Sequence, residues 1–244
     1  KSAHYQDNSL NWLLKTDKGD SVVASFCVMA TGCLSVPQLP DIPGIKDFKG
    51  DLYQASMWPH ETVSFKNQRV GIIGTGSSGI QAIPVIAEEA AHLTVFQRTP
   101  NFSVPAKNEP LDQNWVDDFK KNYRAHRENH KLANGSGFGD LKVEPRDGPI
   151  EPILRHQLSE DQATQILENA WETGGAKFMG AISDQLMNED ANRFAKEFVH
   201  RKIHETVADQ ETANLLCPSD HPIGTRRICV DIGYYETYNR KNVT

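Results

Sequence analysis

Along the first thirty residues, short apolar runs alternate with polar breaks: WLLKT (12–16), DKGD (17–20), SVVASFCVM (21–29). This pattern predicts two strands joined by a turn at Gly19. From 30 to 50, in TGCLSVPQLPDIPG and its flanks, proline and glycine recur every few residues, and each proline removes a donor and restricts its predecessor. An irregular crossover is expected there. RVGII (69–73) then reads as a β-branched strand, followed by a glycine-rich turn (74–79), a helix-length apolar run (80 to about 91) and a second strand, HLTVFQ (92–97). That order predicts one βαβ crossover with parallel strands. Pro84 falls inside the helix, where a lost hydrogen bond should kink the axis.

After Pro105 the texture changes to long polar, helix-favouring stretches at 111–131, 159–171 and 190–207, with a Gly- and Pro-containing segment at 134–152 between the first two. In the last stretch Ala191, Phe194, Ala195, Phe198, Ile203 and Val207 form an apolar face, and Arg193, Lys196, Glu197, Arg201 and Lys202 a wet one. TRRICVDI returns to strand character near the end, and YYETYNRKNV follows as a polar segment with clustered aromatics. The fold class expected is α/β.

Composition narrows the function. The 244 residues carry 26 Lys and Arg against 32 Asp and Glu, a formal charge of -6, so no bulk positive field favours nucleic acid or an anionic membrane. The longest apolar runs are far shorter than the roughly 20 residues of a membrane-spanning helix. Four cysteines without a C-x-x-C pair suggest a reduced, cytoplasmic protein. The chain opens on Lys1 rather than Met, and KSAHYQDNS lacks the apolar core of a secretion signal, so a piece of a longer protein is expected. Oligomeric state is not legible.

GTGSSG (74–79) matches G-x-G-x-x-G in the context that gives the pattern weight, after a strand and before a helix. Gly74 would permit the tight turn, Gly76 the close approach of a pyrophosphate, and Gly79 the packing of helix on strand. The helix N-terminus offers unpaired N–H groups, to which Ser77 and Ser78 add hydroxyls. With Thr75 and Gln81, these residues are assigned to a dinucleotide; the alternative is a glycine turn without a ligand. About 20 residues beyond such a motif, NAD-binding proteins carry an acidic residue for the ribose hydroxyls. Here that place reads Gln97, Arg98, Thr99. A guanidinium beside a hydroxyl suits a 2′-phosphate, which favours NADP(H), the alternative for Arg98 being a solvated surface arginine.

FKGDLYQASMWP (48–59) resembles F-x-G-x-x-x-H-x-x-x-W-P, the fingerprint of Baeyer–Villiger monooxygenases, flavoproteins that insert one oxygen atom beside a ketone carbonyl. Phe48, Gly50, Trp58 and Pro59 match; where the family has histidine this chain has Gln54, which can hydrogen-bond but cannot take up a proton near neutrality. The likeness extends through ATG (30–32), SVPQLPDIPG, FQRTP and PIGTRRICVDIGYYETYNR. It implies the middle of a family member: a Rossmann-like NADP-binding domain with an inserted helical subdomain, plus a tail of the FAD domain. The expected boundaries are 1–35 for the end of the first FAD-domain segment and linker, 36–106 for the NADP-binding domain, 107–216 for the helical insertion and 217–244 for the return. A second glycine motif, which would hold FAD, is absent from the sequence.

The resemblance also implies roles for GTRRI. Arg226 would bind the 2′-phosphate with Arg98 and Thr99, and Arg227 would be the catalytic arginine, its fixed charge stabilising negative charge beside flavin and nicotinamide. The complete enzyme would take NADPH, FAD, O2 and a ketone. Two surface cations at a strand entrance are the plainer reading. Two further functions stay open: an N- or S-oxygenating flavin monooxygenase, and a non-catalytic NADP(H)-binding module. His126 with His130, and His200 with His204, are spaced i,i+4 and could share a metal, but flanking Arg and Lys would repel a cation, and exposed helix residues are expected instead.

Overall fold

The computed structural model describes residues 2–132 and 152–244, so the Gly- and Pro-containing segment, up to residue 151, lies outside the described residues. The chain divides into two compact units, Lys1–Thr62 and Val63–Thr244.

In the first unit β1 (Ser2–Gln6), β2 (Asn11–Lys15) and β3 (Ser21–Ala24) form an antiparallel sheet in sequence order. The expected hairpin is β2–β3, with Trp12 opposite Ala24 and Lys15 opposite Ser21. Gly19 takes the positive φ of 88° that its turn requires. β3 stops five residues before the end of its apolar run. Phe26, Val28 and Met29 pair with no strand and stand exposed. Among the described residues of this unit none is buried, because a lone three-stranded sheet has no second layer of its own to pack against.

The second unit opens with β4 (Arg69–Ile73), α1 (Ser77–Glu89) and β5 (His92–Phe96). β4 and β5 are parallel, Arg69 opposite His92 and Ile73 opposite Phe96, as the crossover pattern requires. α1 begins three residues before its apolar run and continues through Pro84. The last residues of the chain line up along β5: the Leu93 N–H donates to the Asn242 carbonyl (2.7 Å) and the Val95 N–H to that of Thr244 (2.8 Å). Asn242 Nδ2 also donates to the Ala87 and Ala90 carbonyls, closing the end of α1. A second parallel pair, β6 (Ser103–Pro105) and β7 (Cys229–Asp231), brackets the helical region.

Between them run α2 (Gln113–Lys121), α3 (Tyr123–Leu132), α4 (Glu160–Thr173), α5 (Glu189–Thr206) and α6 (Gln210–Leu216); α7 (Tyr234–Thr237) follows β7. Asp112, Ser159, Asn188 and Asp209 cap four of these helices, each accepting from a backbone N–H in the first turn. The stretch expected as one helix at 111–131 is two, broken at Asn122, which ends α2. The helices share one core with the crossover: Ile80, Ile83 and Leu93 belong to the same buried cluster as Phe102, Leu167, Phe178, Phe198 and Ile203. Trp171 meets Phe178 and Phe198 edge-on, both at 5.9 Å between ring centres. No helix among the described residues is long and apolar enough to cross a membrane.

His200, on α5, stacks on Phe102 and places Nε2 2.9 Å from the Pro218 carbonyl. Burial lowers its pKa below 6.5, against the raising effect of that hydrogen bond. The unfolded chain therefore takes up this proton first as pH falls through about 6.5, and folding stability declines until the folded ring titrates too. Melting temperature should drop between about pH 7 and 5.5, and His200→Gln, which keeps a donor, should flatten that drop; an unaltered slope would refute the assignment.

Candidate functional site

β4 delivers the chain to Gly74, whose φ of +99° lies in the left-handed region and whose N–H donates to the Phe96 carbonyl at 2.9 Å. The turn thus starts at the end of the parallel pair. A side chain at Gly79 would run into the Gly74 carbonyl oxygen, well inside contact distance, so the first turn of α1 can lie this close to the glycine turn only without a Cβ. At Gly74 and Gly76 a Cβ would meet nothing within 4 Å. Open space lies over the turn. Gly76 caps α1 with its backbone alone, leaving the first-turn N–H groups of Ser77, Ser78 and Gly79 without intrahelical acceptors. Such a terminus attracts an anion.

Thr75 is buried, and its hydroxyl donates to the Thr99 carbonyl (3.3 Å) and toward Gln97 Oε1 (3.4 Å). It ties the turn to the segment that carries Arg98. Gln81 Nε2 donates to the Val230 carbonyl at 3.2 Å and fastens α1 to β7. Both side chains act as struts, engaged with protein groups rather than presented to the open space. Ser77 and Ser78 are exposed. Arg98, Arg226 and Arg227 are exposed, and none forms an ion pair among the described residues. Thr99 is half-buried.

The far end of the helical region returns to this place through Asn101. Its Nδ2 donates to the Arg227 carbonyl (3.3 Å) and to Cys229 Sγ (3.2 Å), while the Cys229 N–H donates to the Phe102 carbonyl (2.9 Å). Residues 101–103 and 227–229 therefore run side by side, and Gln81 of α1 reaches the next residue, Val230. The Cys229 thiol is pushed up by burial, against the lowering effects of Ser77 and Asn101, and stays a neutral packing group. Asn101 Oδ1 is buried without a partner. The Asp220 carboxyl is held below its usual range chiefly by its hydrogen bond to His221, with a smaller contribution from the charge of Arg226.

Sequence reading missed Asn101 and Cys229. Both lie within three residues of a noted arginine, but only the pairing of β6 with β7 shows that they meet.

The fingerprint segment belongs to the first unit. The Phe48 ring lies where a Gly50 side chain would go, and Tyr53 and Trp58 pack at 5.6 Å between ring centres. Gln54 Nε2 donates to the Gln38 carbonyl at 2.9 Å, and its Oε1 is buried without a partner. Glutamine thus serves here as a brace across the irregular segment.

The paired histidines are engaged elsewhere. His200 bonds Pro218, His204 Nδ1 lies 2.8 Å from Gln210 Oε1 and His126 Nε2 3.1 Å from Asp118; the His130 side chain lies outside the described residues. Among the described residues no group of three or more His, Cys, Asp or Glu could hold a metal.

The chain is a mixed α/β protein whose β4–α1–β5 crossover sets an open glycine turn at a helix N-terminus. Residues 9–106 match the model of the flavin-binding monooxygenase-like family. Cyclohexanone 1,2-monooxygenase of an Acinetobacter species is 39% identical over 245 residues, covering 100% of this chain and 43% of the relative. Phenazine N-monooxygenase PhzNO1 of Lysobacter antibioticus is 36% identical, covering 96% and 41%. A solved structure of oxidized steroid monooxygenase bound to NADP superposes with a TM-score of 0.82 at 43% identity, covering 99% of this chain and 45% of that one. The chain is a homologue of the Baeyer–Villiger monooxygenases, and it spans less than half the length of the relatives it matches.

Proposed function

We propose that Val63–Thr244 is the Rossmann-like NADP(H)-binding domain, with its inserted helices, of a flavin-dependent Baeyer–Villiger monooxygenase that oxidises a ketone with O2 to an ester or lactone. The first unit is then part of the flavin domain. One observation carries the reading: the hydrogen bonds of Thr75 to the 97–99 segment and of Asn101 to the 227–229 segment fasten the loops that carry Arg98, Arg226 and Arg227 to one another, and the first of them to the glycine turn.

The residues fit NADP(H). The pyrophosphate would lie in the open space over Gly74 and Gly76, against the N–H groups of Ser77, Ser78 and Gly79, and Arg98, Thr99 and Arg226 would take the 2′-phosphate. Arg227 would hold a fixed positive charge near the nicotinamide end. FAD, held by parts of the protein other than this glycine turn, supplies oxygen activation when bound. Four free cysteines suit a cytoplasmic setting.

Titration calorimetry on the chain tests the cofactor assignment. NADP+ should bind more tightly than NAD+, and Arg98→Ala should weaken NADP+ by about 10- to 100-fold while moving NAD+ less than about twofold. Equal losses for both would defeat it. N-oxygenation is the second reading, favoured by the likeness to phenazine N-monooxygenase. Product analysis with a ketone and an aromatic N-heterocycle, using the protein with its flavin, separates the two.

A further inference from the structure

α5 carries Asn192, Lys196 and His200 four residues apart, so they share one stripe of the helix. All three direct their polar atoms to the backbone of residues 218–223. Asn192 holds Ile223 on both sides: Nδ2 donates to its carbonyl (2.8 Å) and Oδ1 accepts from its N–H (3.1 Å), while Nδ2 also reaches the Gln185 carbonyl (3.0 Å). Lys196 Nζ donates to the Ser219 (3.1 Å) and His221 (3.4 Å) carbonyls, and His200 Nε2 to that of Pro218. A carbonyl can only accept, so His200 carries its proton on Nε2. Helix pattern alone placed Lys196 on a solvated face; it is a backbone brace instead.

Past Ile223 the chain turns at Gly224, whose φ is +92° and whose missing Cβ leaves room for the Leu186 side chain. Thr225 Oγ1 donates back to the Pro222 carbonyl at 2.8 Å. Arg226 follows, and Asn101 then takes the Arg227 carbonyl. The two arginines thus sit on a short span pinned at one end by Asn192 and at the other by Asn101.

We propose that Asn192, supported by Lys196 and His200, is a positioning residue for the Arg226–Arg227 pair, fixing residues 218–223 so that the arginines are presented to the nucleotide already in place. The inference rests on the assignment of Arg226 to the 2′-phosphate. Preorganisation of this kind lowers the ordering cost of binding and shows most where the ordered group makes its contact. A break at Asn192 should therefore weaken the phosphate-bearing dinucleotide more than the one without it.

The test compares wild type, Asn192→Ala and Arg226→Ala for NADP+ and NAD+ binding, with amide hydrogen exchange read at Ile223. Asn192→Ala should raise the NADP+ dissociation constant about tenfold, leave that of NAD+ within about twofold and speed Ile223 exchange about tenfold or more. Equal weakening of both dinucleotides, or unchanged binding despite faster exchange, overturns the inference. If Arg226→Ala leaves the NADP+ to NAD+ ratio unchanged, the phosphate assignment fails and takes the inference with it; if that ratio collapses while Asn192→Ala leaves it intact, only the inference fails. Should Asn192→Ala not fold, Lys196→Met, which keeps the aliphatic stem, should show the same selective loss in smaller degree. Its absence counts against the proposal.

Discussion

Replacing Gly79 with alanine should cost about 3 kcal/mol of stability and abolish dinucleotide binding together with it. The added methyl group would press on the Gly74 carbonyl, and a backbone oxygen cannot swing aside as a side chain can. Relief requires α1 to move off the turn. Ile80, Ile83, Ile86 and Ala87 anchor that helix in the core, so the movement would open packed contacts along three turns. Gly76→Ala is the instructive partner. Its φ of -82° suits any residue and its Cβ would meet no protein atom, so stability should fall by less than about 1 kcal/mol. The methyl group would nonetheless occupy the space assigned to the pyrophosphate, and NADP+ affinity should fall about 100-fold. Urea unfolding and calorimetry on the two variants separate fold from site. Normal binding by Gly76→Ala would rule out this turn as a nucleotide site.

Asp231→Ala should cost about 3–5 kcal/mol, although no ligand is assigned to it. Its carboxyl is buried, accepts from the buried Ser103 hydroxyl and caps α7 through the N–H groups of Gly233 (3.0 Å) and Tyr234 (2.8 Å). Alanine would strand three donors, each costing about 1–3 kcal/mol when buried and unpaired, less whatever water can recover. The neighbouring tyrosines share this dry setting. Burial pushes the Tyr234 and Tyr235 phenols far up and that of Tyr238 up to about 12, while the Tyr235 hydroxyl accepts from the Ser103 N–H. Asp231→Asn keeps an oxygen for the two N–H groups but turns an NH2 toward Ser103, so its loss should be about half as large. A loss below about 1 kcal/mol in Asp231→Ala, by urea unfolding, would show that the network carries little weight.

What could be read from the sequence was local. RVGII, GTGSSG and HLTVFQ announce a strand, a turn and a strand through neighbouring residues alone, and β4, α1 and β5 follow within a few positions. β1 and β6 went unseen because SAHYQ and SVP lack the run of β-branched and apolar residues that marks RVGII; pairing with other segments makes them strands. The apolar face of α5 was legible from its spacing, with Ala191, Ala195, Phe198 and Ile203 buried. The polar stripe was not, since Lys196 facing carbonyls and Lys196 facing water look alike in sequence. Thr75 shows the same limit: the motif names the position, and only the fold shows its hydroxyl turned inward.

The partner of β5 in its sheet has a consequence for biosynthesis. Residues 242–244 complete the hydrogen bonding of that strand, and Asn242 reaches Ala90 across 152 residues. At ribosomal speeds of about 5–20 residues per second, the nascent glycine turn and its helix wait roughly 8–30 s for the segment that seals their edge. During that interval β5 presents an open strand edge, a ready template for pairing with another chain.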